Sequence, residues 1–211
     1  MSTVIDKMLA DSTFGSRINP NRIGGMGHSL GGYTMIEIAG GISDLAAFRE
    51  FHFRRFGGKS DGPSEFPNLF FEQFDELSKT DADFQESVRH AGDSYRDPRV
   101  RAVVAIAPAN GPMLPAAPLE RISIPVEIIA GEADDIAPVA SNAKYFAAHI
   151  PGAKLTIFPG AVGHSVFLNT CTEESRKSLE WVCGDGPGVD REAIHGRTME
   201  IALSFFAADL K

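Results

Sequence analysis

The sequence predicts an α/β fold in which helices cover both faces of a parallel sheet. Two observations support this prediction: short apolar runs rich in β-branched residues recur along the chain, and segments with helical periodicity separate them. Strands that alternate with helices are typical of parallel sheets with helices on both faces. At 211 residues the chain suits one domain, spanning 1–211.

Four strands are expected. The run at 100–107 is typical of a strand buried on both faces, because valine, isoleucine and alanine dominate it. The run at 124–130 has Pro125 near its start, where a missing N–H donor is tolerated. The other two strands are expected at 22–26 and 153–158.

Helices are expected between and around these strands. The first is predicted at 4–11, where Val4, Ile5, Met8 and Leu9 follow helical spacing. Residues 108–118 are predicted as loop. The later helices are expected at 33–39, 141–149, 173–182 and 191–210.

The sharpest motif joins the first strand to its helix. Residues 27–31 read Gly-His-Ser-Leu-Gly and fit G-x-S-x-G in a strand–turn–helix context, which is typical of a nucleophile elbow. Such an elbow holds its serine, here Ser29, in a strained backbone conformation. The flanking Gly27 and Gly31 are expected because strand and helix pass too close for a Cβ. A dinucleotide fingerprint starting at Gly25 is disfavoured, because Leu30 stands where its third glycine belongs.

Residues 42–97 differ in character from the rest of the chain. They contain nine of the 15 phenylalanines, which is more than a simple tether needs. Short amphipathic helices are expected at 44–55 and 69–77. Two interpretations stay open: a surface excursion that docks onto the domain, or a cap or lid that gives a substrate pocket an apolar wall. The phenylalanines are Phe48, Phe51, Phe53, Phe56, Phe66, Phe70, Phe71, Phe74 and Phe84.

Composition excludes several classes of function. The formal charge of −8 argues against a nucleic-acid partner, which would need a basic patch. No apolar run approaches the roughly 18 residues that span a bilayer. No metal site and no cofactor are expected, because neither cysteine has metal-ligand spacing. Cys171 and Cys183 are expected as free thiols; the alternative is a local disulfide, which would imply an oxidising compartment.

A serine nucleophile needs a base, and the base needs an orienting acid. His164 follows the predicted strand at 153–158 and is the expected base. Asp134 follows the strand at 124–130 and is the expected acid, with Asp135 and Glu132 as rivals in the same loop. The backbone N–H of Leu30 is the expected oxyanion donor. The other histidines lack this strand-end setting, and His28 is expected to point away from Ser29 in a regular strand; they are His28, His52, His90, His149 and His195.

These residues resemble the α/β-hydrolases, in the elbow at 27–32, the Gly-x-x-Asp-x-x-x-Pro at 131–138 and the Gly-His at 163–164. Within that superfamily the chain is similar to bacterial proteins described as predicted dienelactone hydrolases, related to platelet-activating-factor acetylhydrolases and polyester-degrading esterases. The resemblance implies Ser29, Asp134 and His164 as the triad. The well-known dienelactone hydrolases use cysteine where Ser29 stands. The closer likeness lies in 27–34, 97–100, 134–138, 167–171, 189–191 and the terminal Phe205-Phe206.

The resemblance also sets expectations about the ends of the chain. Members of the superfamily usually have several strands before the elbow, including the loop that supplies a second oxyanion donor. Only one helix is predicted before the elbow strand here, so the N-terminal strands are expected to be missing. A homodimer is expected to cover the sheet edge thereby exposed. As the chain stands it predicts a soluble cytoplasmic protein; an exported one is expected if a leader lies in a missing part.

Together these features predict a serine hydrolase that cleaves carboxylic esters through an acyl-enzyme. The phenylalanine-rich segment favours short-chain or aromatic esters as the small-molecule substrate. Two alternatives stay open: a catalytically impaired binding protein of the same fold, and an acyltransferase that passes the acyl group to an alcohol or thiol.

Overall fold

The computed structural model describes residues 1–56 and 71–210. Within them four strands form one parallel sheet in the order β1-β2-β3-β4. The four predicted strands are confirmed, and the first continues two residues beyond its predicted end. The strands are β1 (Ile23–His28), β2 (Val100–Ile106), β3 (Val126–Gly131) and β4 (Lys154–Phe158).

The register aligns the carboxyl ends of the strands. His28 pairs with Ile106, Ile106 with Ile129, and Gly131 with Phe158. The loops that follow β1, β3 and β4 therefore meet at one edge of the sheet, which is where open α/β sheets bind ligands.

Helices connect the strands and cover the sheet. The helix predicted at the start of the chain is confirmed, as is the long helix near its end. The helices are α1 (Ser2–Ala10), α2 (Leu30–Ala39), α3 (Leu45–Phe56), α4 (Phe71–Thr80), α5 (Ala82–His90), α6 (Ala116–Leu119), α7 (Ala143–His149), α8 (Glu173–Ser178), α9 (Glu180–Cys183) and α10 (Arg191–Asp209).

The sheet separates two apolar layers. Side chains of β2 alternate between them, because successive residues of a strand point to opposite faces. Val103 and Ala105 face a layer formed with α2 and α7, which includes the fully buried Ile36 and Phe146. Residues 102, 104 and 106 face a layer formed with α10, which includes Phe205. Helices on both faces of the sheet are thus confirmed.

The structure differs from the prediction in three connections. Residues 173–182 do not form one helix, because Leu179 leaves the helical conformation (φ −130°, ψ 51°) and separates α8 from α9. The segment at 108–118 contains α6 as well as loop. Helix α5 was not predicted; the Asp81 carboxylate caps it by accepting a 2.8 Å hydrogen bond from the Phe84 N–H.

Cys171 and Cys183 form a disulfide, so the expectation of free thiols is wrong. The break at Leu179 lets α9 return toward the start of α8, which brings the two Cα atoms to 5.8 Å. That separation lies within the usual range for a disulfide. The bridge closes the segment that follows the His164 loop.

An ion-pair network ties α1 to the sheet. The Arg99 guanidinium contacts Asp6 of α1 at 2.5 Å and the buried Asp97 at 2.6 Å. Its hydrogen bonds hold the pKa of the Asp97 carboxyl well below its usual range. In this position α1 packs Ile5 against the layer that contains α2.

Only part of the phenylalanine-rich segment lies within the described residues. Phe66 and Phe70 lie outside them. Helix α3 begins beside the loop after β2, where the Asp44 N–H donates to the Met113 carbonyl at 2.8 Å, and Phe48 is buried. Helices α4 and α5 pack together through an edge-to-face contact of Phe74 and Phe84 at 5.2 Å.

Candidate active site

Ser29 lies in the sharp turn between β1 and α2. Its backbone has φ 57° and ψ −117°, a region that non-glycine residues avoid and that costs of order 1–3 kcal/mol. The strain predicted for an elbow serine is therefore present. The turn lifts Ser29 out of the strand at the carboxyl edge of the sheet.

The two glycines that flank Ser29 are not equivalent. A Cβ on Gly27 would lie 2.3 Å from the Gly31 carbonyl oxygen, so the strand and the helix do pass too close for a side chain there. A Cβ on Gly31 would meet nothing within 4 Å, so the expectation that both glycines serve close packing is wrong for Gly31. The glycine that α2 does need is Gly32, where a Cβ would lie 3.0 Å from the Pro108 Cα.

Backbone hydrogen bonds fix the strained turn. The Ser29 N–H donates to the Ile106 carbonyl at 2.9 Å, and the Ser29 carbonyl accepts from Tyr33 at 3.0 Å and Ala109 at 3.2 Å. Two further strained residues flank Ala109: Ala107 with φ 41° and Asn110 with φ 56°. Strain therefore concentrates around one serine, as it commonly does at functional sites.

His164 reaches Ser29 from the loop after β4. It is the first residue of a 3₁₀ turn, His164–Phe167, and it is buried. Its Nε2 lies 2.8 Å from the Ser29 Oγ, and its Nδ1 lies 2.8 Å from the Asp134 Oδ2. Because a carboxylate only accepts, the Nδ1 carries the hydrogen and the Nε2 is free to accept from the serine hydroxyl.

Asp134 lies in the loop after β3 with its side chain fully buried. Its second oxygen, Oδ1, accepts a 2.7 Å hydrogen bond from the Ala137 N–H, which fixes the carboxylate plane. The rival acids have other surroundings: Asp135 is exposed, and Glu132 accepts from the Gly160 N–H at 2.7 Å. The structure thus brings Ser29, His164 and Asp134 together and leaves the two rivals outside.

Leu30 is the first residue of α2. The first N–H groups of a helix have no acceptor within the helix, so the Leu30 N–H is available beside Ser29. Leu30 is 61% exposed. This placement fits an oxyanion donor.

Sequence reasoning missed the surroundings of His28. Its ring faces the His164 ring, with centroids 4.8 Å apart, and its Nε2 lies 3.1 Å from the His164 carbonyl oxygen. The expectation that His28 turns away from Ser29 did not foresee that both residues contact the base. His90 and His149 pair with surface carboxylates instead, and the His52 side chain lies outside the described part.

The described residues contain no group of three or more histidine, cysteine or acidic side chains placed to hold a metal ion. No helix in the described part is both long and apolar enough to cross a membrane.

No family model matches the sequence, and no curated protein matches it. Solved structures with a similar chain path include a predicted CIB-like hydrolase from Thermoplasma acidophilum (18% identity, TM-score 0.40) and the 2,6-dihydroxy-pseudo-oxynicotine hydrolase (19%, 0.39). A third is an acetyl ester-xyloside bifunctional hydrolase from Caldicellulosiruptor lactoaceticus (14%, 0.38). The alignments cover 86%, 77% and 95% of this chain, but only 57%, 39% and 63% of those chains.

The architecture itself is α/β-hydrolase-like. A parallel sheet, a strained serine between a strand and a helix, and the chain order Ser29, Asp134, His164 occur together here. This is the fold that the resemblance in the sequence implies. The narrower likeness to predicted dienelactone hydrolases stays a prediction.

Proposed function

We propose that this α/β-hydrolase-like chain is a serine hydrolase that cleaves carboxylic esters through an acyl-enzyme. One observation carries the proposal: an unbroken hydrogen-bond chain runs from the Ser29 Oγ through the His164 ring to the buried Asp134 carboxylate, with both links at 2.8 Å. Nucleophile, base and orienting acid come from three separate loops at the carboxyl edge of the sheet. Such an arrangement activates a hydroxyl that is otherwise a weak nucleophile.

In the acylation step the Ser29 oxygen attacks the ester carbonyl carbon while the His164 Nε2 accepts the hydroxyl proton. The carbonyl oxygen gains the negative charge and is stabilised by the Leu30 N–H. The buried Asp134 carboxylate keeps the imidazole in the correct tautomer and stabilises the imidazolium. His164 then returns the proton to the leaving alkoxide as the carbon–oxygen bond breaks. Water repeats the sequence on the acyl-enzyme and releases the acid.

The surroundings of the triad favour apolar acyl or aryl groups. An exposed apolar residue lies close in the sequence to each member of the triad. Leu30 follows Ser29 directly, Ile136 lies two residues after Asp134, and Leu168 lies four residues after His164. We therefore propose short-chain or aromatic esters as substrates. The segment at 42–97, of which 57–70 lie outside the described residues, is proposed as the cap of this site, and its helix α3 lies beside the loop after β2.

The test is hydrolysis of p-nitrophenyl butyrate by the purified chain and by Ser29→Ala. Turnover by the wild type that falls to the background rate in Ser29→Ala is the expected result. The matched control is Ser204→Ala at an exposed position of α10, beside Lys154 at the start of β4, which should hydrolyse the ester at the wild-type rate.

A fluorophosphonate probe separates this function from the alternatives, because labelling needs an activated serine. Failure of folded wild type to label Ser29 would contradict the proposal and favour a binding protein. Labelling with ester formation, rather than hydrolysis, in the presence of competing alcohols would favour an acyltransferase.

We also propose that a second copy of the chain covers the outer edge of β1. In the described sheet β1 is an edge strand, and it contains no charged residue to discourage pairing, whereas the opposite edge strand begins with Lys154. An exposed apolar residue lies on this edge strand: Met26 is 47% exposed. Light scattering at micromolar concentration should give the mass of a dimer, and a clean monomer would contradict the proposal.

The disulfide bears on localisation. Because disulfides persist in oxidising compartments, the Cys171–Cys183 bridge supports an exported protein. Alkylation and mass spectrometry of the protein from its native source should find both cysteines blocked. Free thiols there would favour the cytoplasm.

A further inference from the structure

Side chains from elsewhere in the fold hold the main chain of the His164 turn. The carbonyl oxygen of His164 lies 3.1 Å from the His28 Nε2, and the carbonyl oxygen of Val166 lies 2.7 Å from the His195 Nε2. The Arg191 Nη1 donates to two later carbonyls, of Leu168 at 3.4 Å and Asn169 at 3.1 Å. Four of the six main-chain carbonyls from 164 to 169 are thus contacted by side chains from two distant elements.

These donors come from the two elements on either side of the turn. His28 is the last residue of β1, directly before Ser29, and His195 and Arg191 lie on the first two turns of α10. His28 therefore links the strand that carries the nucleophile to the backbone of the base. His195 and Arg191 link the same backbone to a 19-residue helix that is packed on the sheet.

Both imidazoles act as donors. A carbonyl oxygen only accepts, so the hydrogen must be on the Nε2 of each ring, and the neutral form is sufficient. Burial and the neighbouring His164 lower the pKa of His28, which favours that neutral form. His28 also keeps its ring 4.8 Å from the His164 ring, so the contact supports the position of the base as well as its carbonyl.

The turn needs such support because its own hydrogen bonds are few. A 3₁₀ turn of four residues has poorer hydrogen-bond geometry than an α-helix and is easily rearranged. Leaving a buried carbonyl without a donor costs about 1–3 kcal/mol. Val166 is 3% exposed, so water does not readily replace His195 there. A shift of about 1 Å in a reacting group can lower a rate by about 10²-fold.

We propose that His28 and His195 are positioning residues, which keep the His164 imidazole aligned on Ser29 by holding the main-chain carbonyls of its turn. This inference rests on the proposed serine hydrolase function. By this inference β1 leads directly into the nucleophile and also positions the base, through His28.

The experiment compares leucine and glutamine at each position. Leucine fills similar space without a donor, and the glutamine Nε2 lies near the position of the histidine Nε2. His28→Leu and His195→Leu should each lower kcat for p-nitrophenyl butyrate by about 10–100-fold with KM nearly unchanged, and should slow fluorophosphonate labelling of Ser29 in parallel. His28→Gln and His195→Gln should recover most of that loss.

His149→Leu is the matched control, since His149 is also half-buried and lies away from the turn beside Tyr145. It should keep the wild-type kcat. Thermal unfolding of every variant shows whether the assays are run on folded protein. Rescue by glutamine separates positioning from a general loss of stability, because leucine packs at least as well as glutamine in an apolar setting.

Hydrogen–deuterium exchange of residues 164–169 tests the contacts apart from catalysis. The leucine variants should exchange faster in this segment than the wild type, and the glutamine variants should not. Wild-type kcat, labelling and exchange in both leucine variants would overturn the inference while leaving the hydrolase proposal intact. A different result would overturn the hydrolase proposal instead: the wild type neither hydrolyses the ester nor labels with fluorophosphonate. Faster exchange in the leucine variants would in that case still support the contacts.

Discussion

Ser29 and His164 meet at 2.8 Å, yet the chain holds them in opposite ways. The elbow is held by main-chain contacts: a positive φ at Ser29, a strand and helix in contact at Gly27, and hydrogen bonds to the backbone of Ile106, Ala109 and Tyr33. The His164 turn is held by side chains, from His28 on one side and from α10 on the other. The nucleophile is thus fixed by main-chain contacts, within its own turn and with the end of β2 and the loop after it, whereas its base depends on side chains of distant elements.

The largest effect is expected when the His164 ring loses its hydrogen bond to the buried Asp134 carboxylate. In Asp134→Asn the amide favours the wrong tautomer of His164, so kcat for p-nitrophenyl butyrate should fall by about 10⁴-fold, as such a change does in serine protease triads. Asp135→Asn, in the exposed neighbour, should change kcat by less than about twofold. Similar losses in both variants would mean that the loop, and not the Asp134 carboxylate, matters.

A single added methyl group at Gly27 is expected to destabilise the elbow. Gly27→Ala places a Cβ 2.3 Å from the Gly31 carbonyl oxygen, which is backbone and cannot rotate away. Overpacking of this kind costs about 1–3 kcal/mol, and the free energy of unfolding in urea should fall by at least that amount.

Gly31→Ala adds the same methyl group four residues later, into open space inside a helix. Alanine is the better helix former by about 1 kcal/mol, so this variant should be as stable as the wild type or more stable. Equal destabilisation by the two alanines would show that the close approach at Gly27 is not what shapes the elbow.

The same contrast explains how far the sequence alone could lead. Ser29, its strained turn and the order Ser29, Asp134, His164 could be predicted because each lies in a short motif after a strand. The choice of Asp134 over Asp135 depended on burial and on the Ala137 N–H, which the motif only suggests. The contact of His28 with His164 could not be predicted, because 136 residues separate them and only the register of the sheet brings them together.

The disulfide and the Gly31 environment were missed for a related reason. The sequence shows where a glycine or a cysteine stands, but its role depends on the neighbour that the fold places beside it. The break at Leu179 brings Cys183 to Cys171, and the path of α2 leaves open space beside Gly31. Alternation of strands and helices is a property of local sequence, so the sheet and its helices on both faces could be predicted.

The smallest effect is expected in the pH dependence of the free energy of unfolding, through His28. Burial and His164 lower the pKa of His28, with the Asp134 carboxylate opposing them in part. In the unfolded chain this histidine should protonate near its ordinary pKa of about 6.5. Between that pH and the lower pKa of the folded state, the unfolded chain binds more protons, so acidification favours unfolding. His28 therefore contributes stability that is present above about pH 6.5 and is lost as the pH falls.

Urea unfolding at pH 7.5 and 5.5 measures this contribution. The His28→Gln variant should lose less unfolding free energy between the two pH values than the wild type. His90→Gln should show the opposite sign, because Asp93 and Glu86 raise the pKa of His90 and its protonation favours the folded state. The same loss in the wild type and His28→Gln would mean that His28 is as easily protonated in the folded chain as in the unfolded one. The side-chain contacts that hold the turn would then be more open to water than the main-chain contacts that hold the elbow.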